Sequence, residues 1–184
     1  AVDMGLIQTN NIVADYRANR DMMKRIKPKT IHGVVITHNH ADHVCGLLVA
    51  IHMGMNAYIY VPQGSLPIMR IMLEDCVKIM ESDSTKLQNK YRIKASPLAT
   101  LEDVDKVMCR CVEVPFNKPT EIVGGAKLTY YDAGHIVNSA QAIIEFKQGY
   151  IIKRVGITGD ICNEPKSKSV RPLQPLPKCD ILIS

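Results

Sequence analysis

Residues 33–43 constrain this chain more than any other stretch. They begin as a short, continuous apolar run, Gly33-Val-Val-Ile-Thr37, and continue as His-Asn-His-Ala-Asp-His43. A short apolar run predicts a buried strand, and in an extended segment His38 and His40 point to the same side. Since imidazole and carboxylate groups are preferred ligands of borderline cations such as Zn²⁺, the pattern predicts a metal site at the end of that strand.

Asp42 and His43 extend this cluster toward a second ion. They come just before an apolar, helix-like stretch, so they can turn toward a position beside the first ion. The alternative is a hydrogen-bonded histidine cluster on a loop, but packing so many groups that prefer water without a metal is costly. Average residue usage puts a chance occurrence of the pattern in a chain of this length on the order of 10⁻⁴. We therefore predict a dinuclear metal site.

Length and composition indicate one soluble, globular domain. The 184 residues are enough to bury a sizeable core, and 46% hydrophobic with 22% charged residues excludes a disordered chain. The net charge of +5 permits an anionic partner without requiring one. The longest apolar stretch, residues 46–61, is interrupted by His52 and Asn56 and is too short to span a bilayer. We expect no membrane insertion.

Cysteine usage indicates a reducing compartment. None of the cysteines has C-x-x-C spacing, and Cys109 with Cys111 does not resemble a zinc-finger pattern. We favour reduced, mostly buried thiols over a disulfide framework, and no basic-then-apolar signal segment opens the chain. The expected location is the cytoplasm, or the nucleus in a eukaryote. The six cysteines are Cys45, Cys76, Cys109, Cys111, Cys162 and Cys179.

Apolar periodicity predicts helices between the early strands and a meander of strands later. Helical patterns cover residues 44–53, ended by Gly54, and residues 65–82, and Thr100 with Asp103 predicts a capping box that opens a third helix. The charged and polar residues 81–94 predict a surface connection. Together the elements predict a layered α/β sandwich. Strands are predicted at residues 33–37, 57–61, 111–114, 127–131, 141–146, 150–157 and 180–183.

Two later motifs supply further metal ligands. In Tyr131-Asp-Ala-Gly-His135 the histidine follows a strand and a glycine, and in Gly156-Ile-Thr-Gly-Asp160 the aspartate ends a strand beside another glycine. Each side chain would emerge at a sheet edge, where loops gather. Taken singly these motifs are weak, but in this order behind H-x-H-x-D-H they are strong.

The combination of these motifs resembles the metallo-β-lactamase superfamily. Residues 131–140 resemble the G-H-x-x-G-S-A signature of its β-CASP nuclease branch. That branch includes ribonuclease J and the cleavage-and-polyadenylation and Integrator endonucleases. The resemblance covers Asp3 to Ser184 and implies a four-layered αβ/βα sandwich, with residues 1–184 as one metallo-β-lactamase-like domain. The chain starts without Met and stops within an apolar run. We therefore expect a fragment, with N-terminal strands and a downstream β-CASP domain missing.

The resemblance also implies roles for the ligands. His38, His40 and His135 would hold the first metal, Asp42 and His43 the second, and Asp160 would bridge the two. Two Zn²⁺ are expected, although Mn²⁺ or Fe²⁺ would fit the same ligands. Asp3 would act behind the ligands by fixing a histidine tautomer.

The expected chemistry is hydrolysis of a phosphodiester by a metal-bridging hydroxide. Two Zn²⁺ with Asp42, Asp160 and one hydroxide leave a net charge of about +1, which attracts a phosphate. Asp42 and Asp160 are the predicted catalytic carboxylates, and Asp42 would also receive the proton of the nucleophile. Residues expected to contact phosphate are Ser139, Lys166, Lys168 and Arg171.

We therefore predict an RNA-processing nuclease, with single-stranded DNA as a second substrate class and a homo-oligomer or a processing complex as its assembly. Two alternatives remain open: a hydrolase of small molecules such as thioesters, lactams or cyclic nucleotides, and a non-catalytic scaffold. Asn138 departs from the branch by replacing its usual glycine, and the histidine that completes the second metal lies outside the chain. A further basic run, from Arg20 to Lys29, fits a solvated helix face at least as well as nucleic-acid contact.

Overall fold

The computed structural model describes residues 1–164 and 167–184. The helices of this part of the chain are α1 (Ile12–Ile26), α2 (Ala41–Val44), α3 (Gly46–His52), α4 (Leu66–Asn89) and α5 (Leu101–Met108). Its strands are β1 (Gly33–Val35), β2 (Tyr58–Pro62), β3 (Cys111–Val114), β4 (Thr120–Ile122), β5 (Ala126–Asp132), β6 (Ala140–Gln148), β7 (Ile151–Ile157) and β8 (Ile181–Ile183).

Local sequence signals account for the ends of several helices. The Asn11 side chain accepts hydrogen bonds from the backbone N–H groups of Val13 and Ala14 and so caps α1. Gly54, with φ of 91°, follows the end of α3 in the left-handed conformation that favours glycine. The capping box predicted for Thr100 and Asp103 is present at the start of α5.

The first sheet is parallel and lies under the helices. Its strands run in the order β1-β2-β3, and parallel neighbours require the crossover connections that α3, α4 and α5 provide. The helices pack on it through a core that contains fully buried side chains of both layers, including Ile36, Ile59, Leu48 and Leu73.

The second sheet packs on the other face of the first. Strands β4 to β7 are antiparallel neighbours and β8 joins β7 in parallel. Val35 and Tyr60 of the first sheet share a buried cluster with Leu128 and Tyr130 of the second. The Tyr130 hydroxyl crosses the interface, and its single proton is shared between the backbone carbonyls of Ile36, at 2.7 Å, and Tyr60, at 2.9 Å.

The predicted α/β sandwich is confirmed. The described residues contain three of the four expected layers, in the order helices, parallel sheet, mixed sheet. The prediction of a surface connection at residues 81–94 is wrong over its first part, because α4 continues to Asn89. Ser84 and Leu87 are buried there and continue the face that Leu73 and Val77 begin, while the charged residues lie outside. None of the helices in the described part of the chain is long and apolar enough to cross a bilayer.

Candidate metal centre

Three strand ends bring the predicted ligands to one edge of the sandwich. His38 follows β1 by way of the buried residues Ile36 and Thr37. Strands β5 and β7 both run antiparallel to β6, so their last residues lie at the same edge, where His135 and Asp160 follow them. The Ala140 N–H donates to the Thr37 carbonyl at 2.9 Å and joins the two sheets at that edge.

The nitrogens of three imidazoles converge on one point. His38 Nε2 lies 2.9 Å from His40 Nδ1, and His135 Nε2 lies 3.2 Å from the same His40 atom. The Asp160 carboxylate completes the group, with Oδ2 3.8 Å from His38 Nε2 and 3.5 Å from His135 Nε2. All four ligand atoms lie within 4.8 Å of one another. Three nitrogens and one oxygen form a donor set that suits Zn²⁺.

A second group of donors adjoins the first through Asp160. Its other carboxylate oxygen, Oδ1, lies 3.6 Å from His43 Nε2, and His43 Nε2 lies 3.8 Å from Asp42 Oδ2. One carboxylate therefore faces both groups, one oxygen to each, as a bridging ligand would. The first group offers four donors that could hold a metal ion, and the second group adds His43 and Asp42 beside the shared carboxylate.

Asp3 orients His43 from behind. Its Oδ2 lies 2.8 Å from His43 Nδ1, and both its oxygens accept from Thr37, Oδ1 from the backbone N–H and Oδ2 from the hydroxyl, each at 2.8 Å. A carboxylate there favours the His43 tautomer that is protonated on Nδ1 and leaves the Nε2 lone pair free to face Asp160. Asp3 has a φ of 47°, in the left-handed region, so these contacts hold it in a conformation that aspartate adopts sparingly.

Burial keeps His38 neutral. Burial removes water from around the His38 ring, which disfavours its charged form and lowers its pKa to about 3. The neighbouring rings of His43 and His40 make smaller contributions. Because a metal binds only the unprotonated ring nitrogen, the imidazole is held in its ligand form at neutral pH.

The turn that carries His135 is fixed by Ser139 and by a glycine. The Ser139 hydroxyl accepts from the backbone N–H groups of His135 and Ile136, each at 3.1 Å, and the residue is only 3% exposed. Gly134 has a φ of 72°, and a Cβ there would collide with the Cys162 carbonyl. Asn138, where the branch usually has glycine, has a φ of 59°, which asparagine tolerates better than most residues.

The basic residues expected near phosphate have different surroundings. Arg171 Nε lies 3.0 Å from Asp132 Oδ1, and its guanidinium stacks 4.2 Å above the Phe116 ring, so this side chain is already engaged by the protein. Burial raises the pKa of Asp132, and the Arg171 charge partly offsets that shift. Lys168 is exposed. The predicted contact at Lys166 lies outside the described residues.

Two residues beside the ligands were not singled out from the sequence. Thr37 provides the two hydrogen bonds to Asp3, and the buried Asn39 side chain donates to the Ser65 carbonyl at 3.1 Å, which joins the histidine segment to the start of α4. A hydroxyl at the end of a strand directly before H-x-H was the available signal for Thr37. His52, by contrast, lies outside this cluster and pairs with Asp103 at the start of α5, which is a structural contact.

A family model described as the metallo-beta-lactamase superfamily matches residues 15–67. The resemblance to that superfamily is confirmed. The match includes β1, the histidine segment and β2, which is the part of the chain that carries the first four predicted ligands.

Curated relatives extend the similarity across most of the chain. The transcription termination factor FttA of Methanococcus maripaludis is 28% identical over 158 residues, which are 83% of this chain and 22% of that protein. Ribonuclease TTHA0252 of Thermus thermophilus is 24% identical over 157 residues, or 85% of this chain and 32% of the relative. Endoribonuclease YSH1 of Candida albicans is 27% identical over 156 residues, or 82% and 17%. The chain thus spans between a sixth and a third of these relatives, and their names agree with the nuclease branch expected from the sequence.

Among solved structures, the FEZ-1 metallo-beta-lactamase from Legionella gormanii superposes with a TM-score of 0.48 at 15% sequence identity, over 91% of this chain and 55% of that one.

Proposed function

We propose that this chain carries the metal centre of a zinc-dependent nuclease that hydrolyses phosphodiester bonds in RNA. The observation that carries the proposal is the position of Asp160, whose two oxygens face two separate groups of donors. Similarity to a ribonuclease and an endoribonuclease supports RNA as the substrate.

His38, His40, His135 and Asp160 would hold one ion, and Asp42, His43 and Asp160 the other. Bound there, two Zn²⁺ would polarise a phosphoryl oxygen and lower the pKa of water from 15.7 to about 7. The side chains themselves have two tasks, which are to orient the metal ligands and to accept a proton. Asp3 and Thr37 fix the His43 ring, and Asp42, whose side chain is 65% exposed, is accessible to take a proton from the attacking water.

The proposal extends to location. All six cysteines are free, which suits a reducing compartment, so we place the nuclease in the cytoplasm or, in a eukaryote, the nucleus, working as an oligomer or within a processing complex.

The test is metal content per chain by mass spectrometry, for the wild type and for His135→Ala and Asp160→Asn. We expect close to two zinc ions in the wild type and a loss in both variants. The matched control is His32→Ala, an exposed histidine outside the cluster, which should keep the wild-type content. Absence of bound metal from a folded wild type would contradict the proposal and favour a scaffold.

Cleavage of a labelled RNA then tests the reaction. Loss of a ligand costs more than the 10–100-fold typical of its supporting partners, so His135→Ala should cut at less than about one-hundredth of the wild-type rate. Hydrolysis of a thioester or lactam by a wild type that leaves RNA intact would assign the centre to small-molecule substrates instead.

A further inference from the structure

The net positive charge of the chain is concentrated in one segment. Residues 17–29 contain six of the 23 basic residues and one of the 18 acidic residues, Asp21. The remaining 171 residues therefore hold 17 basic and 17 acidic side chains and are neutral overall, so the segment accounts for the whole net charge of +5. The six basic residues are Arg17, Arg20, Lys24, Arg25, Lys27 and Lys29.

Helix α1 presents four of these charges to solvent, and Lys27 and Lys29 directly follow the helix. Arg17, Arg20 and Lys24 recur at i, i+3 and i+7, the spacing of one helix face, while Asn19 and Met23 are buried on another side. All six basic residues of the segment are exposed. We call this set of six side chains the α1 basic face.

Folding alone does not account for this concentration. Asp21 contacts Arg20 at 3.1 Å and Lys24 at 3.7 Å, whereas the other four make no ion pair within residues 1–164 and 167–184. The helix dipole favours Lys24 and Arg25 in the last turn, but it does not favour Arg17 in the middle of the helix. Like charges at i, i+4, such as Arg20 and Lys24, oppose helix formation by about 0.2–0.5 kcal/mol.

The C-terminal end of the α1 basic face, at Lys27 and Lys29, lies away from the metal centre. Residues 27–29 lead into the first residue of β1, whereas the histidines follow its last residue. Lys29 also lies against Gly54, in the turn that leads into β2. A polyanion bound along this face would therefore lie on the outside of the helical layer. It would run toward the edge of the first sheet that is opposite the metal ligands.

We infer that the α1 basic face binds the phosphate backbone of single-stranded RNA outside the metal centre. Three of the six residues are arginines, whose planar guanidinium pairs with phosphate oxygens in a bidentate manner. Residues 17–29 contain no aromatic ring for stacking on bases, and the nearest one, Tyr16, lies 6.0 Å from the Arg20 guanidinium. Binding would therefore depend on the charge of the phosphate backbone and not on the base sequence. The choice of RNA among polyanions rests on the proposed function.

The test measures binding of a fluorescein-labelled 20-nucleotide oligouridine by anisotropy across a range of NaCl concentrations. The protein carries His135→Ala so that the RNA is not cut. The test variant adds Arg17→Gln, Arg25→Gln and Lys27→Gln, three positions without an ion pair in the described residues. The control adds Lys118→Gln, Lys127→Gln and Lys147→Gln, exposed lysines on or beside the second sheet, and so loses the same charge. Circular dichroism and the melting temperature establish that both are folded.

We expect the α1 variant to bind at least tenfold more weakly at about 100 mM salt. The slope of log affinity against log salt should become shallower by about 2, since each single-strand phosphate contact contributes about 0.7. The control should stay within about threefold. Equal weakening of both variants would mean that net charge alone acts, and an unchanged α1 variant would mean a solvated face; either result overturns the inference.

Two further arms separate this inference from other outcomes. Vesicles of phosphatidylserine replace RNA in the first, and loss of vesicle binding with unchanged RNA binding would assign the face to a membrane surface and overturn the inference. In the second, the chain with an intact metal centre is assayed for cleavage. If the wild type binds RNA through the α1 basic face but does not cut it, the proposed function alone is contradicted. If the wild type cuts RNA and the α1 variant binds and cuts it equally well, this inference alone is contradicted.

Discussion

At the scale of single residues, Asp3 links two parts of the chain that are 40 positions apart. Its carboxylate receives three hydrogen bonds, two from Thr37 and one from the His43 ring. The Asp3 carboxylate is not among the ligand atoms that face the metal centre. Its hydrogen bond to the His43 ring favours the tautomer that carries the proton on Nδ1.

Replacing Asp3 with Asn should lower zinc affinity about 10–100-fold, the usual cost of losing a partner behind a ligand. The amide would present a donor to His43 Nδ1, so the proton would move to Nε2 and occupy the lone pair that faces Asp160. Competition with a chromophoric chelator measures the affinity. Asp75→Asn, an exposed carboxylate on α4, is the control, and equal affinities for both variants would count against this role of Asp3.

At the scale of secondary structure, Asp103 joins two helices. The carboxylate is buried at the start of α5 and its Oδ2 accepts from the Thr100 N–H at 2.9 Å, from the Thr100 hydroxyl at 3.0 Å and from His52 Nδ1, at the end of α3, at 2.7 Å. Burial raises the pKa of Asp103, but the hydrogen bonds from His52 and Thr100 outweigh burial and leave the pKa below its ordinary value of 3.8. The capping box was predictable from the sequence, whereas the His52 contact, across 51 positions, was not.

We expect Asp103→Asn to reduce the free energy of unfolding by about 1–3 kcal/mol near pH 6, because a cap and a charge-assisted hydrogen bond are lost. The carboxylate pKa is lower in the folded than in the unfolded state, so its stabilisation is present above about pH 4 and disappears as pH falls through the folded value. Urea unfolding at pH 6 and pH 3 measures this. The deficit of the variant should shrink at pH 3, while the exposed Asp105→Asn shows little deficit at either pH. A deficit that is constant with pH would contradict the ionised contact.

At the scale of the whole molecule, Tyr130 connects the two sheets close to the start of the histidine segment. The ring is fully buried, and its hydroxyl proton is shared between the carbonyls of Ile36, which directly follows β1, and Tyr60, in β2. Ile36 lies two residues before His38, so this contact helps to fix the distance between the histidine segment and the second sheet.

Tyr130→Phe should keep the fold and lower the free energy of unfolding by about 1–3 kcal/mol, because the buried Ile36 carbonyl loses the hydroxyl donor while the ring still fills its space. The Tyr60 carbonyl keeps the Ile36 N–H as a donor. Chemical unfolding of the metal-free protein measures the change. Tyr58→Phe is the matched control, since that ring is exposed and its hydroxyl should contribute little. A stability equal to that of the control would mean that the Ile36 carbonyl finds another donor.

Features that depend on nearby residues could be predicted from the amino-acid sequence alone. Period-2 geometry placed His38 and His40 on one side, apolar runs located the strands, and the Thr100–Asp103 spacing located the start of α5. Contacts between distant residues could not be predicted in this way. Examples are Asp160 between the two donor groups, Asp3 against His43, Arg171 against Asp132 and Phe116, and the continuation of α4 to Asn89. Local spacing fixes backbone conformation over a few residues, whereas these contacts arise only when strands from separate parts of the chain are packed against one another.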